Sequence, residues 1–181
     1  DTTAPTMTIT ATEVNSGDSS NDATIALTFT SSEVTTNFAT GDVTVTNGSI
    51  NNTFAASGNS GKIYTATFTP SQDGATTIKV NAGAFTDAVG NTSEVSNTIT
   101  WTYDSTSPTV DTFSMADTAL VTGDTSLVTL TFSEAVTGFS SDDDITAPNG
   151  TLSAMSSSNN GVTWTGTFTP DAGVTDSTNI L

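Results

Sequence analysis

The chain has no cysteine, no histidine and no arginine, and Lys62 and Lys79 are its only basic side chains. Each absence removes a class of chemistry. Without imidazole or thiolate there is no Cys/His zinc site, no histidine base and no cysteine nucleophile. Without cysteine no disulfide can staple a small β domain, whatever the redox compartment. Without arginine or clustered lysine the phosphate backbone of a nucleic acid meets no counter-charge, so a nucleic-acid partner is excluded. No apolar run approaches the ~20 residues of a membrane-spanning helix, and no secretory leader is recognisable. The chain opens on Asp1 rather than Met, as a processed product or a piece excised from a longer protein would.

Charge is lopsided rather than dense. The net −17 comes from 19 acidic against 2 basic residues, yet only 12% of the chain is charged and 34% is hydrophobic. A disordered chain combines high charge density with few apolar residues, so this composition predicts a folded one. An unbalanced acidic surface keeps molecules apart, and salt screens its self-repulsion.

What the chain has in excess is the small hydroxyl, with 42 Thr and 23 Ser. Thr alternates with apolar residues at period two: Met7, Ile9, Ala11; Ile25, Leu27, Phe29; Val43, Val45; Tyr64, Ala66, Phe68; Ile78, Val80, Ala82; Ile99, Trp101, Tyr103. That spacing puts one set of side chains on one face of a strand, and a β-branched Thr suits the other. Turn residues separate the runs, at Asn15-Ser-Gly-Asp18, Asn47-Gly48, Asn59-Ser-Gly61, Asp73-Gly74 and Gly90-Asn91. About seven short strands per ~100 residues, with no helical period, predict an all-β immunoglobulin-like sandwich.

The pattern occurs twice. Asp1-Thr-Thr-Ala-Pro-Thr6 returns as Asp104-Ser-Thr-Ser-Pro-Thr109, Leu27-Thr-Phe29 as Leu130-Thr-Phe132, and Ser32-Glu33 as Ser133-Glu134. Asp42-Val-Thr44 returns as Asp144-Ile-Thr146, Asn47-Gly48 as Asn149-Gly150, and Tyr64-Thr-Ala-Thr-Phe-Thr-Pro70 as Trp164-Thr-Gly-Thr-Phe-Thr-Pro170. Two tandem immunoglobulin-like β-sandwich domains follow, residues 1–103 and 104–181, with almost no linker between them. The second is expected to be incomplete at its C-terminus, lacking about two strands. Open sheet edges invite pairing, so either residues beyond Leu181 or a segment supplied in trans is expected to complete it by strand complementation.

These motifs, with Thr86-Asp-Ala-Val-Gly-Asn91, resemble bacterial Ig-like tandem repeats. Similar modules extend very large secreted adhesins and occur in virion proteins of marine bacteriophages. The resemblance implies a non-catalytic, extracellular or cell-surface spacer whose partners are neighbouring repeats of the same long chain and a cell-surface glycan or host surface. The alternatives are a virion component, either a capsid decoration or a tail-fibre module, and an accessory module of a secreted polysaccharide enzyme. It also implies structural Ca²⁺ at domain junctions.

Calcium takes six to eight oxygens from carboxylates, amides and carbonyls. In an Ig-like sandwich the entry segment and the loops after the second and sixth strands converge at one pole, which would gather Asp1, Glu33, Asp87 and Asn91. The matching pole of the second copy would gather Asp104 and Glu134, facing Asp18, Asp22 and Asp73 of the first. The competing reading is that all of these are turn formers and solvated charges. Asp142-Asp143-Asp144 reads as an exposed acidic turn rather than a metal site. The sequons at Asn47, Asn51, Asn91 and Asn149 are expected by chance in a chain so rich in Ser and Thr, and Asn47 and Asn149 read as turn residues. Tyr64, Trp101, Tyr103 and Trp164 fall on inward phases and read as core rather than as a sugar platform. Neither lysine has the buried, acid-flanked setting that a Lys–Asn isopeptide bond needs. No nucleophile–base constellation is visible, so no enzymatic activity is expected.

Overall fold

A computed structural model describes residues 1–51, 54–56 and 61–173. It divides into two compact units, Asp1–Thr106 and Ser107–Leu181. The expected Asn59 turn, the Asn51 sequon beyond its first residue and the stretch after Gly173 lie outside the described residues.

The first unit carries β1 (Met7–Ala11), β2 (Ser19–Ser20), β3 (Ile25–Ser31), β4 (Val43–Thr46), β5 (Gly48–Ile50), β6 (Ala55–Ala56), β7 (Ile63–Pro70), β8 (Gly74–Val80) and β9 (Ile99–Tyr103). One sheet runs β1-β3-β7-β5, with β6 on β7, and the other runs β2-β9-β8-β4. All ladders are antiparallel except the short β2–β9 pair. The inward residues of the two sheets form one core: Met7, Ile9, Leu27, Phe29 and Phe68 from the first, Ile78, Val80, Ile99 and Trp101 from the second. Phe68 meets Trp101 edge-on with ring centres 5.4 Å apart, which joins the sheets at mid-core. Phe29, Phe38, Phe54, Tyr64 and Phe85 form a second aromatic group. The buried Tyr64 hydroxyl donates to the Thr35 carbonyl at 2.7 Å, and burial pushes its phenol pKa up.

The alternating runs fall on β1, β3, β4, β7, β8 and β9, with one departure within them. β8 ends at Val80, and Ala82 is exposed in a turn whose Gly83 has φ +74°. Phe85, outside any strand, enters the core instead at 1% exposure. Of the four large aromatics read as core, Tyr64 and Trp101 are buried, whereas Tyr103 and Trp164 are half-buried.

The second unit carries β10 (Val110–Met115), β11 (Ser126–Phe132), the one-turn helix α1 (Ser141–Asp144), β12 (Gly150–Leu152), β13 (Ser156–Ser157) and β14 (Thr163–Pro170). Its described strands make one sheet, β10-β11-β14-β12 with β13 on β14, around Val128, Leu130, Met155 and Phe168. The exposed aspartates of α1 lie in a turn, as expected. Among the described residues no helix is long and apolar enough to cross a membrane.

Register corrects one of the repeat matches. Phe29 faces Tyr64 across β3–β7, and Leu130 faces Trp164 across β11–β14. Phe29 therefore corresponds to Leu130, and Leu27 to Val128. The shared Leu-Thr-Phe triplets sit two residues out of step. A slip of two leaves every side chain on its own face, so the alternation alone does not reveal it. Ser32 and Ser133 fix the true alignment. Each accepts a backbone N–H on its hydroxyl and donates its own N–H to a carbonyl, pairing with Thr6 and Thr109 respectively.

The Asn-Gly pairs divide their labour. Asn47 and Asn149 take the left-handed conformation, with φ of 55° and 64°. Gly48 and Gly150 are required by close approach, because an added Cβ would lie 2.2 Å from the Phe68 ring and 2.4 Å from the Phe168 ring. Both phenylalanines are fully buried and cannot move aside. Gly48→Ala and Gly150→Ala are each expected to cost about 1–3 kcal/mol through overpacking, read as a lower thermal midpoint by circular dichroism, whereas Gly41→Ala, with open space around it and no left-handed backbone, should cost less than either.

Candidate metal centre

Three carboxylates converge at one end of the first sandwich. Ligand oxygens of Asp1, Glu33 and Asp87 lie within 4.8 Å of one another, the one such group of three among the described residues. Each is delivered by a different segment. Asp1 opens the strand into β1 and accepts the Thr3 N–H on Oδ1 at 2.8 Å. Glu33 follows β3, and the paired bonds between Ser32 and Thr6 strap that strand end to the entry segment. Asp87 sits in the loop between β8 and β9, which the Thr86–Thr92 bridge closes. A bond from the Glu94 N–H to the Pro5 carbonyl, 3.0 Å, ties that loop to the same entry segment.

Asp87 organises its loop. Its Oδ1 accepts the N–H groups of Val89, Gly90 and Asn91 at 3.0, 2.7 and 2.8 Å, and its Oδ2 accepts the Asn91 side-chain amide at 2.7 Å. The residue is buried, at 7% exposure. Burial pushes its pKa up, but the Asn91 amide and the three backbone N–H groups outweigh it, so the carboxyl is held below its ordinary value. A charged, buried Asp87 thus stands beside Asp1 and Glu33, with no ion pair to any of the three among the described residues. The nearby Lys62 ammonium donates to the Ser32 carbonyl at 2.8 Å. Asn91 is brought to the group, yet its amide nitrogen is committed to Asp87 and, at 3.4 Å, to the Asp1 carbonyl. These bonds hold Asn91 against both carboxylate residues through its nitrogen.

The other acidic candidates lie apart from this group. Asp18 Oδ2 accepts the backbone N–H of Asn15 at 2.7 Å and its side-chain amide at 3.2 Å. Asp22 accepts the Ser20 hydroxyl at 2.6 Å. Asp73 accepts the Ser105 N–H and hydroxyl at 2.7 and 2.8 Å and the Thr106 hydroxyl. Asp104 caps the Thr106 N–H at 3.2 Å and donates its own N–H to the Ser20 carbonyl at 3.1 Å. Glu134 is half-buried in the second unit, after β11. None of these belongs to a three-carboxylate group among the described residues.

Sequence reasoning missed the polar side chains that complete the first sandwich. Asn97 bonds Ile9 in both directions, its Oδ1 accepting the N–H at 2.7 Å and its Nδ2 donating to the carbonyl at 2.9 Å. Buried Ser96 accepts the Val80 N–H at 2.8 Å. In sequence both look like ordinary loop residues, and no local signal marks them.

The bonds from the Thr106 hydroxyl and from the Ser105 N–H and hydroxyl favour the charged form of Asp73 and hold its pKa below the ordinary value. A carboxyl depressed in the folded state stabilises the fold above its unfolded pKa and loses that contribution as pH falls through the folded one. The thermal midpoint should fall as pH drops below the ordinary aspartate value of about 4, and the fall should be shallower in Asp73→Asn. Thermal melts on either side of that value check this.

The bacterial Ig-like domain family matches residues 1–103 and again 104–181. No curated protein and no solved structure matches the chain significantly. The two-sheet first unit, the repeated strand pattern and the double family match agree: the chain belongs to the bacterial Ig-like domain family, as two copies in tandem.

Proposed function

We propose that the chain is a non-catalytic structural and adhesive module, working outside the cell or at its surface, whose first domain is braced by Ca²⁺ held by Asp1, Glu33 and Asp87. One observation carries the calcium reading, the convergence of these three carboxylates within 4.8 Å on three separate segments. The donor set suits the ion. It is all oxygen, without the nitrogen or sulfur that zinc or copper prefers. Without a cation the charges repel one another, and a divalent ion reverses the sign of that term. It would link the entry segment, the end of β3 and the Asp87 loop. Asp104 and Glu134 hold the corresponding positions in the second copy's sequence, and the same reading extends to them.

Adhesive and spacer roles fit a family of serial modules and an acidic surface that resists self-association. Many of the described hydroxyls serve the fold by bonding backbone groups, as those of Ser32, Ser96 and Ser133 do.

Extracellular modules bind Ca²⁺ with dissociation constants of about 10⁻⁴–10⁻³ M. Saturation a hundredfold above that constant adds about 2.7 kcal/mol. Calcium is therefore expected to raise the thermal midpoint well beyond sodium chloride at matched ionic strength, and chelator to reverse the rise. In Glu33→Gln the calcium increment should vanish while the calcium-free midpoint holds or rises, since a repelling charge is gone. Equal midpoints in calcium and sodium, or a calcium increment that survives Glu33→Gln, would refute the site.

A further inference from the structure

The chain that joins the two units is anchored from both sides. Asp73, in the turn between β7 and β8, reaches forward to the segment that leaves β9. Its Oδ1 accepts the Ser105 N–H at 2.7 Å and the Ser105 hydroxyl at 2.8 Å, and its Oδ2 accepts the Thr106 hydroxyl. A carboxylate acceptor makes these the stronger kind of hydrogen bond. Just before them the Asp104 N–H donates to the Ser20 carbonyl at 3.1 Å. The first unit accordingly runs on past β9 and ends at Thr106. The second unit takes hold at Thr109. Its N–H donates to the Ser133 hydroxyl at 2.9 Å, and its carbonyl accepts the Ser133 N–H at 2.9 Å. Between these anchors lie only Ser107 and Pro108, both exposed. Neither is hydrogen-bonded among the described residues.

We propose that Asp73 is a clasp that sets the length of free chain between the units, holding it to Ser107 and Pro108. Both are stiff positions, since the ring fixes φ at Pro108 and crowds Ser107 out of the helical region. Two residues span at most about 7 Å; with Ser105 and Thr106 released there are four, which span at most about 14 Å. The clasp thus halves the reach of the joint, and reach and stiffness decide how freely one module turns on the next. It is particular to this joint rather than part of the repeat. The Asn47 carbonyl accepts the Ser71 N–H and the Asn149 carbonyl accepts the Asp171 N–H. That pairing aligns the two turns and sets Gly173 where Asp73 stands. The inference uses none of Asp1, Glu33 and Asp87 and is independent of the calcium reading.

The test measures the heteronuclear NOE of backbone amides on the full chain in chelator, with limited proteolysis alongside. In the parent, Ser105 and Thr106 should be as ordered as β9, with the value falling only at Ser107. In Asp73→Ala the fall should extend to Ser105 and Thr106, and proteinase K should cut between residues 104 and 109 roughly fivefold faster. Thr106→Val removes only the hydroxyl bond to Oδ2 and should lie between the two. Gln72→Ala, in the same turn, and Glu33→Gln, at the metal site, should both behave as the parent does. Amide exchange in β8 and β9 shows whether the first unit of each variant is intact. Four results would each overturn the proposal: Ser105 and Thr106 already disordered in the parent; order and cutting unchanged in Asp73→Ala; a loss of order that spreads through β8 and β9, which would make Asp73 a support of the fold; and order at Ser105 and Thr106 that appears only on adding calcium, which would assign the joint to an ion.

Discussion

A strand with one apolar face must find a second layer to cover it, and this chain has little else to hold a fold together. It has no disulfide and almost no cation, so burial between two sheets carries the stability. In the first unit the requirement is met: Phe68 of one sheet lies against Trp101 of the other, and Met7, Ile9, Leu27 and Phe29 are removed from water. The second unit repeats the first sheet strand for strand. Its described strands form one sheet, on which Val110 and Phe113 are exposed.

The same two-layer geometry generates the candidate metal centre. Strand entry, strand exit and crossover loop all reach one end of the sandwich, so Asp1, Glu33 and Asp87 meet although they are distant in sequence. Local chemistry then sharpens the meeting. Asp87 folds its loop around its own carboxylate, and the Ser32–Thr6 exchange and the Glu94–Pro5 bond hold the other segments in place. Concentrated negative charge is costly unless something offsets it, and the chain offers only two lysines in all.

Much of this was legible in the sequence, because period-two alternation and internal repetition survive without any knowledge of tertiary contacts. The alternation located β1, β3, β7 and β9. The repeat, read together with the topology of a sandwich, brought Asp1, Glu33 and Asp87 to one pole. What escaped was whatever depends on contacts distant in sequence. The side chain of Asn97 stands in for a strand partner of Ile9 across 88 residues, and Phe85 reaches the core from a loop. Neither has a periodic neighbour to betray it. The Leu-Thr-Phe triplets misled because a two-residue slip preserves facing, and the cross-strand pairs with Tyr64 and Trp164, together with the Ser32 and Ser133 hydrogen bonds, distinguish the registers. Asn91 was placed correctly, but its role was not legible. An amide near carboxylates can orient its neighbours through its nitrogen, as the bond to Asp87 Oδ2 does, and it carries an oxygen besides.

An ion held in one defined place differs from ions that merely screen scattered carboxylates, and the Asp1, Glu33 and Asp87 group is where the difference is read. A calcium titration followed by backbone amide chemical shifts tests it most directly. Saturating changes are predicted at residues 1–3, 32–34 and 87–91, with the Val89, Gly90 and Asn91 amides that bond Asp87 among the largest. Small, non-saturating changes spread over Asp18, Asp22, Asp42, Asp124 and the α1 aspartates alike would mean that calcium merely screens the surface, and would contradict the account.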